Sequence, residues 1–291
     1  MNENQFAKAT PRTRQSNLSA LRFPAMTIGL IGCGKMGSAL TLGAIKAGVF
    51  QASQVLAFDP VPEAISALGE DVMIASSSDE VLSKSDIILL CVKPGSIESL
   101  LSESARIERA SQPLIISIAA GITLAAMEKA VAGQARIIRA MPNTPLLVGA
   151  GAGAFANGAG TTEEDSAFAQ KLLGAAGLAY PVTEKLIDAV TGVSGSGPAY
   201  VYTFIEALAD GALLEGLPRE QALALAAQTV FGSAKMVLES GLHPAELRDR
   251  VTSPGGTTIM GIAALEEGSF RSTTIKAVQA SAKKARELGA S

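Results

Sequence analysis

The stretch TIGLIGCGKMGSAL, Thr27 to Leu40, decides the fold. An apolar run ending at Ile31 enters a turn with glycines at 32, 34 and 37, and an amphipathic segment follows. In this G-x-G-x-x-G spacing each glycine has its own task. Gly32 permits a tight turn, Gly34 lets a pyrophosphate approach the backbone, and Gly37 lets helix pack on strand. The anion rests on the first amides of the helix, with Cys33, Lys35 and Met36 filling the positions between the glycines. The next apolar run, VLAF, ends at Asp59. An acid there takes the ribose hydroxyls of NAD and repels the extra phosphate of NADP. No Lys or Arg occurs between Asp59 and Lys84. Asp59 therefore favours NADH over NADPH, unless it points away and leaves Ser53 or a remote arginine to the phosphate.

Outward from this turn, short apolar runs alternate with helical patterns as far as Tyr180: VLAF, VMIA, DIILLCV, PLIISIAA, RIIRAM, GAGAFA and LAYPV. Continuous apolar strands separated by helices mean a parallel sheet covered on both faces, the doubly wound α/β arrangement of Rossmann type. Beyond Glu184 the strand signal stops and long Ala/Leu-rich amphipathic segments follow. Pro198, Pro218 and Pro244 stand where helices begin, Gly216 and Gly241 where they end. The expected division is a dinucleotide-binding domain over 26–184 and an all-helical domain over 185–291.

The 291 residues, 48% of them hydrophobic, suffice to bury two cores. A net charge of -3, with no clustered basic face, argues against nucleic acid as a partner. Cys33 and Cys91 lie in the glycine turn and in an apolar run, where a disulfide is not expected, which fits a reducing cytoplasm. The longest apolar run, PLIISIAAGITLAAM, is too short to span a membrane and is interrupted by Ser117, Gly121 and Thr123. Residues 1–25 carry Lys8, Arg12, Arg14 and Arg22 against Glu3, ahead of a natural start at Met26. They read as a disordered extension or a misassigned start; Glu3 and weak amphipathicity count against a transit peptide.

Hydride transfer to a ketone leaves an alkoxide that needs a His, Lys or Tyr beside it. The one histidine, His243, precedes Pro244 at a helix start and reads as a turn or cap. No metal motif is present, and no metal is expected. Reduction of a protonated cyclic imine avoids the need for a strong acid, because the iminium already carries its proton. Two loops at strand ends, CVKPGS from Cys91 and RAMPNTP from Arg139, should line the cofactor, since ligands lie beyond the carboxyl ends of such sheets. In the helical region VTSPGGTT, Val251 to Thr258, offers successive amides as a nest for a carboxylate. The hydroxyls of Ser253, Thr257 and Thr258 can take a further polar group.

These blocks, with SIAAGI, GSGPAYVYTFIEALADGA, GLPREQALALAAQTVFGSAKM and GIAALEEGSFR, stand in the order seen in the pyrroline-5-carboxylate reductase family, which the chain resembles from Met26 to Leu288. The resemblance implies NAD(P)H-dependent reduction of 1-pyrroline-5-carboxylate to L-proline, the last step of proline biosynthesis. It implies a helical domain that forms an intertwined homodimer, dimers that can build a decamer, and an active site that joins one chain's nucleotide domain to its partner's SPGGTT loop. By matching positions, amides around Gly255, Gly256 and Thr257 would receive the substrate carboxylate, Ser253 would support the loop, and Thr258 would meet the ring nitrogen. Val92, Lys93 and Pro94, with Met141, Pro142 and Asn143, would border the nicotinamide. Relatives often place a small polar residue where Asp59 stands, so their frequent use of NADPH does not transfer. The rivals are a reductase of a related cyclic imine, such as the six-membered homologue, a 3-hydroxyacid-type dehydrogenase, and a nucleotide-binding regulator without catalysis. The dehydrogenases put a Lys shortly after the GSG approach, where this chain has Pro198, Ala199, Tyr200 and Val201; the intact SPGGTT argues against the regulator.

Overall fold

The computed structural model describes residues 26–290; the reading of residues 1–25 lies outside them. Eight strands form one sheet: β1 (Ile28–Ile31), β2 (Val55–Phe58), β3 (Met73–Ile74), β4 (Ile87–Leu90), β5 (Leu114–Ser117), β6 (Arg136–Met141), β7 (Gly151–Asn157) and β8 (Gly177–Pro181). Their order is β3-β2-β1-β4-β5-β6-β7-β8, so the chain reverses direction across the sheet between β1 and β4. Every residue of β1, β4 and β5 is buried. Alternate residues of these continuous apolar strands serve opposite faces. Leu30 packs with Leu40 and Ala44 of α1 (Lys35–Lys46) and Phe168 and Leu172 of α6 (Glu163–Gly174). Ile31, Leu90 and Ile115 pack with Val81 of α3 (Ser78–Lys84), Leu101 of α4 (Ile97–Ala105) and Met127 of α5 (Leu124–Val131).

The sheet departs from the all-parallel expectation at one junction, where β7 runs antiparallel to β6, pairing Met141 with Ala154 and Ile138 with Asn157. A parallel return needs a crossover of a dozen or more residues. The connection from Pro142 to Ala150 holds only a short 3-10 helix, Thr144–Val148, capped by Gly149 in the left-handed region, and so the chain doubles back. β8 then returns parallel to β7 by way of α6.

The chain resolves into two compact units. One holds residues 26–198 together with the segment from Ala277 onward; the other is Ala199–Lys276. The stretch GVSGSG lies just before residue 199, where the second unit begins. Rather than a free loop, it prolongs α7 (Glu184–Val190) as a π-helical turn over Thr191–Gly195, closed by the Ser196 amide on the Thr191 carbonyl at 2.8 Å. A Cβ on Gly192 would lie 2.7 Å from the Val278 carbonyl, so only glycine admits that neighbour.

The remaining helices are α8 (Gly197–Leu214), α9 (Arg219–Ser240), α10 (Pro244–Arg250), α11 (Thr257–Glu267) and α12 (Phe270–Ala290). Pro218 and Pro244 stand at helix starts, and Gly216 and Gly241 at helix ends in left-handed conformation. Within Ala199–Lys276 the fully buried apolar cluster consists of Ala209, Ala222 and Ala226 alone among the described residues. Large side chains face outward instead: Leu214 is 88% exposed, Met260 68% and Phe231 60%.

One buried ion pair ties the sheet to its covering helix. Arg136 on β6 grips Asp165 bidentately, Nε to Oδ2 at 2.7 Å and Nη2 to Oδ1 at 3.1 Å, while Asp165 also completes a capping box with Thr162 at the start of α6. Burial alone would raise the Asp165 pKa, but the hydrogen bonds from Arg136 and Thr162 outweigh it and hold the carboxyl below its usual value. A depressed folded-state pKa gives stability that is present above the unfolded value and lost as pH falls through the folded one. Asp165→Asn should cost about 2–3 kcal/mol at neutral pH in urea unfolding, because it leaves Arg136 with an incomplete partner. The gap between wild type and variant should close as the pH drops below about 4.

Candidate functional site

The three glycines of the opening turn differ in their surroundings as their three tasks require. Gly32 has φ +97, a conformation that favours glycine, and a Cβ there would lie 2.5 Å from the Cys91 carbonyl. At Gly37 a Cβ would lie 2.1 Å from the Gly32 carbonyl, so α1 lies against the turn. At Gly34 nothing stands within 4 Å of that position. Gly34 is also the N-cap of α1 and offers no side chain to its amides, and no acid occupies the first turn. A helix start with no acid in its first turn, no capping side chain and an open approach fits the pyrophosphate of a dinucleotide.

Asp59 sits closer to this turn than its expected ribose role required. Its Oδ2 accepts the Cys33 amide at 2.7 Å and its Oδ1 the Val61 amide at 2.9 Å. Ser38 braces the same turn from α1, its hydroxyl donating to the Cys33 carbonyl at 2.7 Å. The carboxylate is thus a clamp on the turn as well as a charge at its edge, with lone pairs left on each oxygen for hydroxyl donors. Both cysteines beside it are free thiols, and burial pushes each pKa up to about 12, with Asp59 adding to the shift at Cys33 and Cys33 adding to it at Cys91. They are poor nucleophiles at neutral pH and pack as small apolar groups.

The loop after β4 adjoins the turn directly. The Cys91 amide donates to the Ile31 carbonyl at 2.8 Å, and Val92 crowds Gly32 from the side. Lys93 immediately precedes the short 3-10 helix that begins at Pro94; both are exposed. Lys35 is exposed and Met36 half-buried at the start of α1. Met141, Pro142 and Asn143 share this carboxyl edge of the sheet, at the end of β6, two strands beyond β4. Asn143, expected to border the cofactor, is buried with its amide engaged inside the protein. Its Oδ1 accepts the Ala152 amide at 2.8 Å and its Nδ2 donates to the Ser194 carbonyl at 2.9 Å, joining the loop to the π turn.

A second bracing element was missed from sequence. Arg139, buried on β6, donates to Glu184 at 2.9 Å and faces Asp188 at 3.6 Å, while Glu184 also accepts the first amide of α5, Leu124, at 2.7 Å. A basic residue inside an apolar strand was a visible signal that a buried acid must lie near it.

In the helical unit SPGGTT forms a turn that opens α11. Gly255 has φ +67, and the Gly256 amide donates to the Ser253 carbonyl at 3.1 Å. A Cβ on Gly256 would lie 2.3 Å from the Ser253 hydroxyl, which explains the second glycine. Because the Gly256 amide closes the turn, the amides that lack helical partners are those of Thr257, Thr258 and Ile259 in the first turn of α11. No side chain caps this start and no acid lies in its first turn. Thr258 is half-buried, Ser253 and Thr257 exposed. His243 caps α10, accepting the Ala245 amide at Nδ1. Among the described residues no group of three or more His, Cys, Asp and Glu side chains could hold a metal ion. No described helix is long and apolar enough to cross a membrane.

Comparison with known proteins agrees with this layout. Residues 184–288 match a family model described as pyrroline-5-carboxylate reductase dimerisation, and residues 27–121 one described as NADP oxidoreductase, coenzyme F420-dependent. The chain is 47% identical over 264 residues to a pyrroline-5-carboxylate reductase of Methanosarcina acetivorans, covering 90% of this chain and 97% of that one. Among solved structures, a pyrroline-5-carboxylate reductase from Coxiella burnetii superposes with TM-score 0.86 at 34% identity, covering 90% of this chain and 98% of the other. One from Plasmodium falciparum, with NADP bound, gives 0.81 at 33% identity, covering 91% and 98%.

The contrast between Gly34 and Gly37 can be tested. Gly34→Ala should change stability by less than about 1 kcal/mol yet weaken NADH binding by roughly tenfold, because the methyl fills the phosphate approach. Gly37→Ala should destabilise the fold by about 1–3 kcal/mol through the clash with Gly32. Thermal melts and a nicotinamide fluorescence titration of both variants separate the two effects.

Proposed function

The chain belongs to the pyrroline-5-carboxylate reductase family, and we propose that it reduces 1-pyrroline-5-carboxylate to L-proline with NADH as the preferred donor. The observation that carries the reading is the start of α11. There unpaired amides, an uncapped and acid-free helix terminus and two threonine hydroxyls occur together, as a small cyclic imino acid requires. The Thr257 and Thr258 amides hold the substrate carboxylate, aided by the positive end of the helix. Gly255, Gly256 and Ser253 shape the turn that presents them. The Thr258 hydroxyl accepts the iminium N–H, which fixes the ring plane without removing its proton.

A nicotinamide held beside the strand ends supplies the hydride. The hydride adds to the imine carbon, the carbon–nitrogen π pair passes to nitrogen, and the product is a secondary amine that keeps the original proton. No general acid of high strength is needed, and orientation is the main contribution of the protein. On the cofactor side the turn from Gly32 to Gly37 holds the pyrophosphate, and Val92, Lys93, Pro94, Met141 and Pro142 border the nicotinamide. Asn143 acts by holding that loop.

The helical region, residues 185–291, serves dimerisation and substrate binding, and residues 26–184 bind the dinucleotide. The outward Phe231, Met260 and Leu214, set against a core of alanines, support a homodimer in which each protomer covers the other's apolar helices, with a decamer of five dimers as the larger assembly. The free thiols Cys33 and Cys91 support a cytoplasmic, reducing setting.

NADH and NADPH oxidation followed by absorbance, with and without 1-pyrroline-5-carboxylate, tests the reading; absence of substrate-dependent oxidation with either would refute it. Thr258→Ala should lower kcat roughly tenfold without abolishing turnover, the loss of one hydrogen bond to a charged group. Asp59→Ser should move the NADPH to NADH ratio of kcat/KM upward by roughly tenfold or more, since a fixed negative charge no longer meets the additional phosphate. An unchanged ratio would leave Asp59 as a clamp alone.

A further inference from the structure

At the amino-terminal edge of the sheet, opposite the glycine turn, the loop after α4 and the turn between α3 and β4 line an open pocket of about 320 Å³. Ser83, Ser85, Asp86, Glu108 and Arg109 are among its lining residues. All three guanidinium nitrogens of Arg109 are buried, and none has a hydrogen-bond partner; the Ser85 hydroxyl is in the same condition. Asp86 acts on Arg109 only through space, while its Oδ2 accepts the Thr27 amide at 2.8 Å. The other cation of the lining, Lys84, is engaged with Glu80 at 2.8 Å. Burial pushes the Arg109 pKa down, with Asp86 opposing the shift, as expected for a cation short of a counter-ion.

A buried guanidinium without an acceptor is costly, and an incoming carboxylate relieves that cost by bonding two of its nitrogens side by side. A simple oxyanion is a poor occupant, because the Asp86 and Glu108 carboxylates line the same pocket and would repel it. An occupant with both charges a few atoms apart satisfies both ends. We propose that this pocket is a binding site for a free α-amino acid, its carboxylate on Arg109 and its ammonium toward Asp86 and Glu108. The site shares no residue with the nucleotide turn or with SPGGTT, and the inference stands whatever substrate the enzyme reduces.

The test is a thermal-shift screen of the full chain against the standard amino acids, with inorganic phosphate and methylammonium as single-charge probes. Titration calorimetry on the best responder follows. The affinity of that amino acid should fall roughly tenfold to a hundredfold in Arg109→Met and by a smaller factor in Glu108→Gln, an exposed position that leaves folding intact. Turnover without added amino acid should match wild type in both. If no amino acid shifts the melting of wild type more than that of Arg109→Met, the site does not exist. If phosphate binds as tightly as the best amino acid and depends equally on Arg109, the zwitterion assignment is wrong.

Discussion

Everything on the cofactor side depends on how closely α1 approaches the turn that precedes it. With the Gly32 carbonyl where a Gly37 side chain would begin, the helix axis is fixed against β1, and the first amides of α1 face the open space beside Gly34. Ser38 and Asp59 hold the same turn from either side through the Cys33 carbonyl and amide. A small displacement of the turn would move the amides away from a common focus, and a dinucleotide would lose several hydrogen bonds together. The tightness of packing and the capacity to hold an anion are therefore one property.

Much of this was legible from residue patterns. The eight apolar runs hold the eight strands, most plainly at β1, β4 and β5, where a strand buried on both faces leaves a continuous mark in sequence, and the glycine spacing announced the turn. What stayed hidden depended on geometry across the sheet. The antiparallel β7 follows from the shortness of one connection, yet GAGAFA reads the same in either direction. The bridging of Asn143 to Ala152 and Ser194 joins residues far apart in sequence, and no local pattern records such a pairing. The π turn at GVSGSG was masked by its glycines and serines, which normally signal a loop. Here the hydroxyls of Thr191 and Ser194 donate back to the carbonyls of Ile187 and Val190 and hold the wide helical turn.

The helical unit poses a different physical problem. Its helices bury alanines against one another and leave Leu, Phe and Met side chains outward, which is the reverse of what an independent bundle needs. The small residues let the helices lie close together, and the large ones await another surface. A surface of this kind suits a region matched by a dimerisation family model.

Asp59 shows how one residue comes to carry two constraints. Its carboxylate accepts two backbone amides, which fixes its position beside the phosphate turn. A neutral residue there would admit a phosphate on the ribose, but a serine has one oxygen where the acid has two, so one amide would lose its acceptor. A change of cofactor preference at this position therefore carries a loosening of the turn with it, unless a nearby side chain restores the lost bond. Ser53 precedes β2, at the end away from the turn, and Ser76, just beyond β3, is already bonded to Glu80. A basic residue near Ser76, able to bind the added phosphate, would strengthen the change that the loss of Asp59 begins. Electrostatic preference and local folding are bound together at this carboxylate, and a single substitution alters both.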